Sequence, residues 1–176
     1  MKILSYKEHK PSINDSNFVA EGAVVIGKVI LGENANIWFN CVLRGDVNTI
    51  NIGKDTNVQD LSMLHVTEER GLDIGENVTI GHSVTLHACT IGKNSLIGMG
   101  ATVLDGANID EFSIVAAGSV VPPNKSYPPN SMIMGAPAKC VRSLKDIEIE
   151  MLKKHYKSYL KYSEEFKTQS KVLDSL

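Results

Sequence analysis

The sequence predicts an all-β fold, a parallel β-helix of stacked six-residue repeats, closed by one C-terminal α-helix. Three observations carry this. An aliphatic residue recurs every six positions at Val19, Val25, Leu31, Ile37 and Leu43, at Ile52, Val58 and Leu64, at Ile74, Ile80 and Leu86, and at Ile91, Ile97, Val103, Ile109, Val115 and Val121. Glycine often follows directly, as Gly32, Gly53, Gly75, Gly81, Gly92 and Gly98, and four residues after many of the aliphatics stands a small or compact residue such as Ala23, Ala35, Cys41, Ser62, Ser95 or Ala101. Aromatic residues make up only 6% of the chain, so the interior must be filled by something other than large rings.

A period of six is neither the 3.6 of a helix nor the 2 of a strand. It fits a triangular coil in which each hexapeptide supplies one short strand and one corner, and three hexapeptides complete a turn. The aliphatic residue points inward, glycine relieves the corner, and the small residue fits where two walls converge. Successive turns hydrogen-bond to one another ~4.8 Å apart, and the chain is long enough for roughly six of them. The spacing breaks in three places. Leu43 to Ile52 is three residues too long, Leu64 to Ile74 four too long, and Leu86 to Ile91 one too short. The extra residues are expected to bulge from corners as loops, the second around Thr67–Gly71.

After Val121 the pattern gives way to Pro122-Pro123 and Pro128-Pro129, which read as irregular loop, with Met132-Ile133-Met134 adding a last strand. Ser143 with Asp146 three residues on resembles a capping box. Ile147, Met151, His155, Tyr159, Tyr162 and Phe166 then recur at spacings of three and four, which predicts an amphipathic helix from about Leu144 to Phe166. The expected division is a β-helix over 1–142 and a C-terminal helix and tail over 143–176.

Composition excludes several partners. Lys+Arg 18 against Asp+Glu 20 leaves a net charge near zero, and no basic run points to nucleic acid. No apolar stretch reaches the length of a membrane span, and the N-terminus lacks a signal-peptide pattern. Three cysteines without paired spacing argue against a disulfide scaffold, so the expected location is the cytoplasm.

The register converts histidine positions into geometry. We call the three walls faces A, B and C, with Ile37, Val58 and Ile80 on A and Leu43, Leu64 and Leu86 on B. His65 and His87 each follow a face-B aliphatic by one residue, so they stack on successive coils. His82 follows a face-A aliphatic by two and lies at a different edge. A single histidine at such a corner is ordinarily solvated. Two stacked imidazoles can share a cation, and His82 can join them only from a neighbouring chain. A metal would then sit between subunits, and a closed homotrimer is the simplest symmetry for a three-sided prism. Arg44 falls one coil below His65 and Asp60 one coil below His82. The same docking would therefore pair Arg44 with a neighbour's Asp60.

Arg44-Gly45-Asp46, Asn57-Val58-Gln59-Asp60, His65 and the run Gly81-His82-Ser83-Val84-Thr85-Leu86-His87 resemble the γ-class carbonic anhydrases, a branch of the hexapeptide-repeat proteins, whose coil is left-handed. The resemblance spans nearly the whole chain. It implies a zinc ion (or Fe2+ or Co2+) bound by His65, His82 and His87 at a trimer interface, with carbon dioxide and bicarbonate as substrates. It gives Gln59 the task of orienting the reacting water, places Tyr159 beside the site, and puts Arg44, Asp46 and Asp60 in the interface network. Three neutral imidazoles leave a divalent cation its full charge and an open position, which lowers the pKa of water from about 15.7 to roughly 7.

The chain departs from the archetypal enzymes in one respect. Their acidic loop, with its proton-shuttle glutamate, is reduced here to Thr67–Gly71, where Glu68 and Glu69 are the only acids, and Val47 follows Asp46. Gly135-Ala136-Pro137-Ala138-Lys139 resembles a loop of coenzyme A-dependent hexapeptide acyltransferases. Acyl transfer or acyl-CoA thioester hydrolysis is thus a second reading, and a non-catalytic trimeric metal-binding scaffold is a third.

Overall fold

The computed structural model describes residues 1–170; the end of the expected tail lies outside them. Residues 11–135 wind into a parallel β-solenoid of about seven turns. On face A, seven strands stack in parallel from Phe18–Val19 through Asn36–Ile37, Asn57–Val58, Thr79–Ile80, Leu96–Ile97 and Ile114–Val115 to Ser131–Gly135. Faces B and C merge into one sheet because Val24–Leu31 and Val42–Ile52 run unbroken through the corner between them.

The aliphatic ladder is the core. Ile37, Leu43, Val58, Leu64, Ile80, Leu86, Ile97, Val103, Ile109 and Val115 are all fully buried. The small residues Ala23, Ala35, Cys41 and Ala101 are buried between them, as the hexapeptide pattern predicts. Corners are turned by residues at positive φ, among them Asn34, Asp55, Asn77 and Asn94 between faces C and A. Asparagine and aspartate tolerate this region better than other residues with a side chain. Their side chains also bond along the stack, Asn34 Nδ2 to Asp55 Oδ1 at 2.9 Å and Asn77 Nδ2 to Asn94 Oδ1 at 3.1 Å.

Three expectations need correction. The first long interval does not leave as a free loop. Gly27 pairs with Gly45 and Val29 with Ile50, so the three extra residues are absorbed as a bulge within the Val42–Ile52 strand. The proline-rich stretch after Val121 is regular coil, since Ser126–Tyr127 and Ser131–Gly135 continue the hexapeptide register. Tyr127 takes the inward position that aliphatics hold elsewhere, because its hydroxyl can donate to the Ala138 carbonyl at 2.8 Å. The helix, α1, spans Asp146–Gln169, and its capping acid is not Asp146. Glu148 instead accepts the Lys145 backbone N–H at 2.7 Å. Between coil and helix, Ala138–Ser143 forms an antiparallel hairpin with Ser131–Gly135, which the periodicity does not announce.

α1 lies along face A. Leu152 and Leu144 pack with Ile114 and Met132, while Trp38 holds the helix at its other end by edge-on contacts with Tyr159 and Phe166, ring centroids 5.8 and 5.4 Å away.

Candidate metal centre

Face B carries the histidine column. Arg44 pairs with His65 and His65 with His87 in successive strands, in the predicted order. The imidazole centroids are 5.0 Å apart, and His65 Nδ1 faces His87 Nε2 at 3.0 Å. The other nitrogen of each ring meets a carboxylate. His65 Nε2 donates to Asp46 Oδ1 at 3.0 Å and His87 Nδ1 to Asp105 Oδ1 at 2.5 Å. Asp46 also pairs with Arg44. Partial burial pushes the Asp46 carboxyl up, but hydrogen bonds from His65 and Arg44 together outweigh it and hold the group below its usual value.

These partners decide what the facing nitrogens can do. With both outer nitrogens donating, neutral rings turn lone pairs toward each other across 3.0 Å. Lone pairs that close repel unless a proton or a cation lies between them. Two bonds of ~2.0–2.1 Å at a tetrahedral angle span ~3.3 Å, so only a small opening would let a zinc-type ion take both nitrogens. A carboxylate behind each imidazole is also how ligand histidines are usually fixed in tautomer and orientation. The donor set fits such an ion.

His82 lies at the corner between faces A and B, with its Nδ1 2.8 Å from Asp60 Oδ2 and two-fifths of its side chain exposed. Its Nε2 is left for another partner. Among the described residues no three ligating groups of one chain converge on a point. The single chain therefore brings together His65 and His87 but not His82. Arg44 and Asp60 likewise keep separate partners within the chain, Asp46 and His82.

Asp105 escaped the reading of the sequence. Its signal was available, since Val103 stacks on Leu86 and so places Leu104 level with His87 and Asp105 just beyond. Asp105 follows its face-B aliphatic by two residues rather than one, and so falls outside the column that His65 and His87 define.

Gln59 and Tyr159 line a different feature, a cleft of about 330 Å³ between face A and α1. Its walls include Leu96, Ile97, Ile114 and Val115, and Gly81 beside His82 forms part of its rim. Gln59 is almost fully buried, with Nε2 donating to Asn57 Oδ1 at 3.1 Å. Burial raises the Tyr159 phenol above its ordinary value, with Tyr162 and Asp60 adding to the effect. The Thr67–Gly71 loop is pinned rather than free. Asn48 Nδ2 donates to the Glu68 carbonyl at 3.0 Å and Arg70 Nη1 to Asn124 Oδ1 at 2.5 Å, with Glu68 and Glu69 exposed. Of the cysteines, Cys41 and Cys89 are buried and Cys140 is exposed. Burial pushes the Cys41 thiol up to about 12, as befits core filler.

No family model matches the chain. It is 42% identical over 165 residues to a carbonic anhydrase of Geobacillus kaustophilus, covering 94% of this chain and 91% of that protein. It is 40% identical over 164 residues to the mitochondrial gamma carbonic anhydrase 2 of Arabidopsis thaliana, covering 90% of this chain but only 59% of the length of the plant protein. The solved structure of a Bacillus cereus protein described as a candidate acetyltransferase superposes with a TM-score of 0.94 at 41% identity, covering 96% of this chain and 98% of that one. With the hexapeptide coil and the histidine column in place, these likenesses establish that the chain belongs to the γ-class carbonic anhydrase-like family of hexapeptide-repeat proteins.

Proposed function

We propose that the protein is a homotrimeric, metal-dependent carbonic anhydrase-type enzyme that hydrates carbon dioxide reversibly to bicarbonate. The observation that carries this reading is the orientation of the imidazoles. His65, His87 and His82 each have one ring nitrogen engaged by an aspartate, Asp46, Asp105 and Asp60 respectively; the other nitrogens of His65 and His87 face each other, and that of His82 has no partner within the described residues. Two nitrogens from one chain and one from its neighbour would complete a three-histidine site. An apolar rim around His82 supports a partner chain there. Leu61 is 62% exposed although held at φ +64°, and Met99, which register places one coil above His82, is 60% exposed.

A divalent cation held by the three histidines supplies the Lewis acidity that makes water nucleophilic near neutral pH. The chain's own groups do the rest. Asp46, Asp60 and Asp105 hold the outer N–H protons of the ligand rings. Gln59, whose Nε2 is committed to Asn57, keeps Oε1 to accept an O–H and so aim the oxygen lone pair at carbon dioxide. Carbon dioxide and water give bicarbonate and one proton. With Glu68 and Glu69 on a short, pinned loop, that proton depends heavily on buffer.

The test is elemental analysis of protein purified without oxygen, followed by a hydration assay with and without added imidazole. One metal per subunit and buffer-accelerated hydration are the expected results. Metal-replete protein inactive in every buffer would remove the reading and favour acyl-CoA chemistry, which the description of the Bacillus cereus relative supports, or a metal-binding scaffold. Mixing His82→Ala with His65→Ala chains should restore metal to hybrid trimers, and failure of every mixture to regain it would rule out ligands from two chains.

A further inference from the structure

A hydrogen-bonded ladder crosses from the C-terminal helix to Gln59. His155 Nδ1 on α1 lies 3.2 Å from Thr79 Oγ1. Thr79 Oγ1 accepts from Asn57 Nδ2 at 2.9 Å, and Asn57 Oδ1 accepts from Gln59 Nε2 at 3.1 Å. Asn57 is fully buried, so its polar atoms must find partners inside the protein, while Gln59 and Thr79 meet the cleft.

The direction of every bond in the ladder follows from its two ends. At the coil end, Asn57 Nδ2 also donates to the Val78 carbonyl at 3.3 Å, which favours this amide nitrogen and not its oxygen facing Val78 and Thr79. At the helix end, Thr79 already accepts from Asn57 and has one proton to give. His155 Nδ1 is the acceptor placed to take it. Half-burial lowers the pKa of His155, which favours the neutral ring that can accept. The outcome is a Gln59 carboxamide with its nitrogen turned inward and Oε1 left for the cleft.

We propose that His155 is a positioning residue for Gln59, acting through Thr79 and Asn57 to keep the Gln59 oxygen, and not its nitrogen, toward the reacting water. With leucine at 155 the Thr79 hydroxyl loses its acceptor, and its proton, turned toward Asn57 Nδ2, opposes the amide orientation that the Val78 carbonyl favours. The reversed Asn57 and Gln59 amides then gain population. The helix thereby works with Val78 to hold the polarity of a side chain on the coil. This rests on the reading of Gln59 as the water-orienting residue, and the test separates the two.

His155→Leu should lower kcat roughly tenfold with little change in KM, the loss expected for one misdirected hydrogen bond. His155→Gln, whose amide oxygen can accept from Thr79, should recover most of it. In a Thr79→Val background no hydroxyl proton remains to be placed, and Asn57 stays anchored by Val78, so His155→Leu should then have little further effect. A side chain that only docked the helix would cost the same in both backgrounds, and that result would overturn the proposal. The second readout needs neither metal nor activity. Nuclear magnetic resonance of the Gln59 carboxamide, assigned through Gln59→Glu in metal-free protein, should show a hydrogen-bonded N–H in the wild type that is lost in His155→Leu and regained in His155→Gln. An unchanged Gln59 signal in His155→Leu would refute the ladder. Absence of hydration activity in the wild type, with the amide result intact, would refute only the carbonic anhydrase reading.

Discussion

Asp105 Oδ1 accepts the Nδ1 proton of His87 at 2.5 Å, and the opposite nitrogen of the same ring faces His65 Nδ1 at 3.0 Å. One carboxylate thus determines which nitrogen of His87 carries its proton and which is free to bind, a dependence that the aliphatic ladder beneath does not reveal.

Replacing that carboxylate tests its role. Asp105→Asn keeps the shape but withdraws the negative charge behind the His87 ring. Metal affinity should fall about 10–100-fold while the fold persists. Competition with a chromogenic chelator reads the affinity, and an unchanged constant would show that Asp105 is only a surface partner of His87.

Arg44 and Asp60 have separate partners within the chain, yet the docking that brings His82 to a neighbouring column would also bring Asp60 toward Arg44. Arg44→Ala should then weaken the trimer by about 3–5 kcal/mol per contact if the pair is enclosed, against at most ~1 kcal/mol if it is solvated. Sedimentation equilibrium over a dilution series distinguishes these. Trimer dissociation unaltered by the substitution would remove the pair.

Glu148 supplies a pH signature at the start of α1. The Arg142 guanidinium, bonded through both nitrogens at 2.7 and 2.8 Å, together with the Lys145 N–H, lowers its carboxyl from 4.5 to about 2. The folded value lies below the unfolded one. Its contribution to stability is therefore complete above about pH 4.5 and is lost as pH falls through about 2. Thermal unfolding of wild type and Glu148→Gln should differ most at neutral pH and converge near pH 2. A gap independent of pH would mean the pair does not act through ionisation.

Close approach of successive coils predicts an asymmetry between corner residues. A Cβ on Gly53 would lie 2.4 Å from both the carbonyl carbon and the carbonyl oxygen of Gly75, backbone that cannot move without parting two turns. Gly53→Ala should cost about 1–3 kcal/mol or more. Asn94→Gly keeps a residue suited to φ +54° and loses mainly the bond from Asn77, so about 1 kcal/mol is expected. Urea denaturation of the two variants gives the comparison, and equal costs would show that the coils can part at little cost.

The amino-acid order alone determined the solenoid, the stacking of His65 on His87 and the separate edge of His82. In a parallel coil the vertical neighbour of a residue is fixed by counting hexapeptides, so register is legible wherever the aliphatic beat is. It also located the amphipathic helix to within a few residues. The beat misled only where its chemistry changed, at Tyr127, whose hydroxyl needed the Ala138 carbonyl, and at Val42–Ile52, where three extra residues stayed within a strand. Tertiary structure decided the rest. Which nitrogen of His65 and of His87 is free depends on where the Asp46 and Asp105 carboxylates fall. The meeting of His155 with Thr79 depends on how α1 docks on face A, held by Trp38, Tyr159 and Phe166. Side-chain direction and helix docking arise from packing between elements distant in sequence, and no repeat period records them.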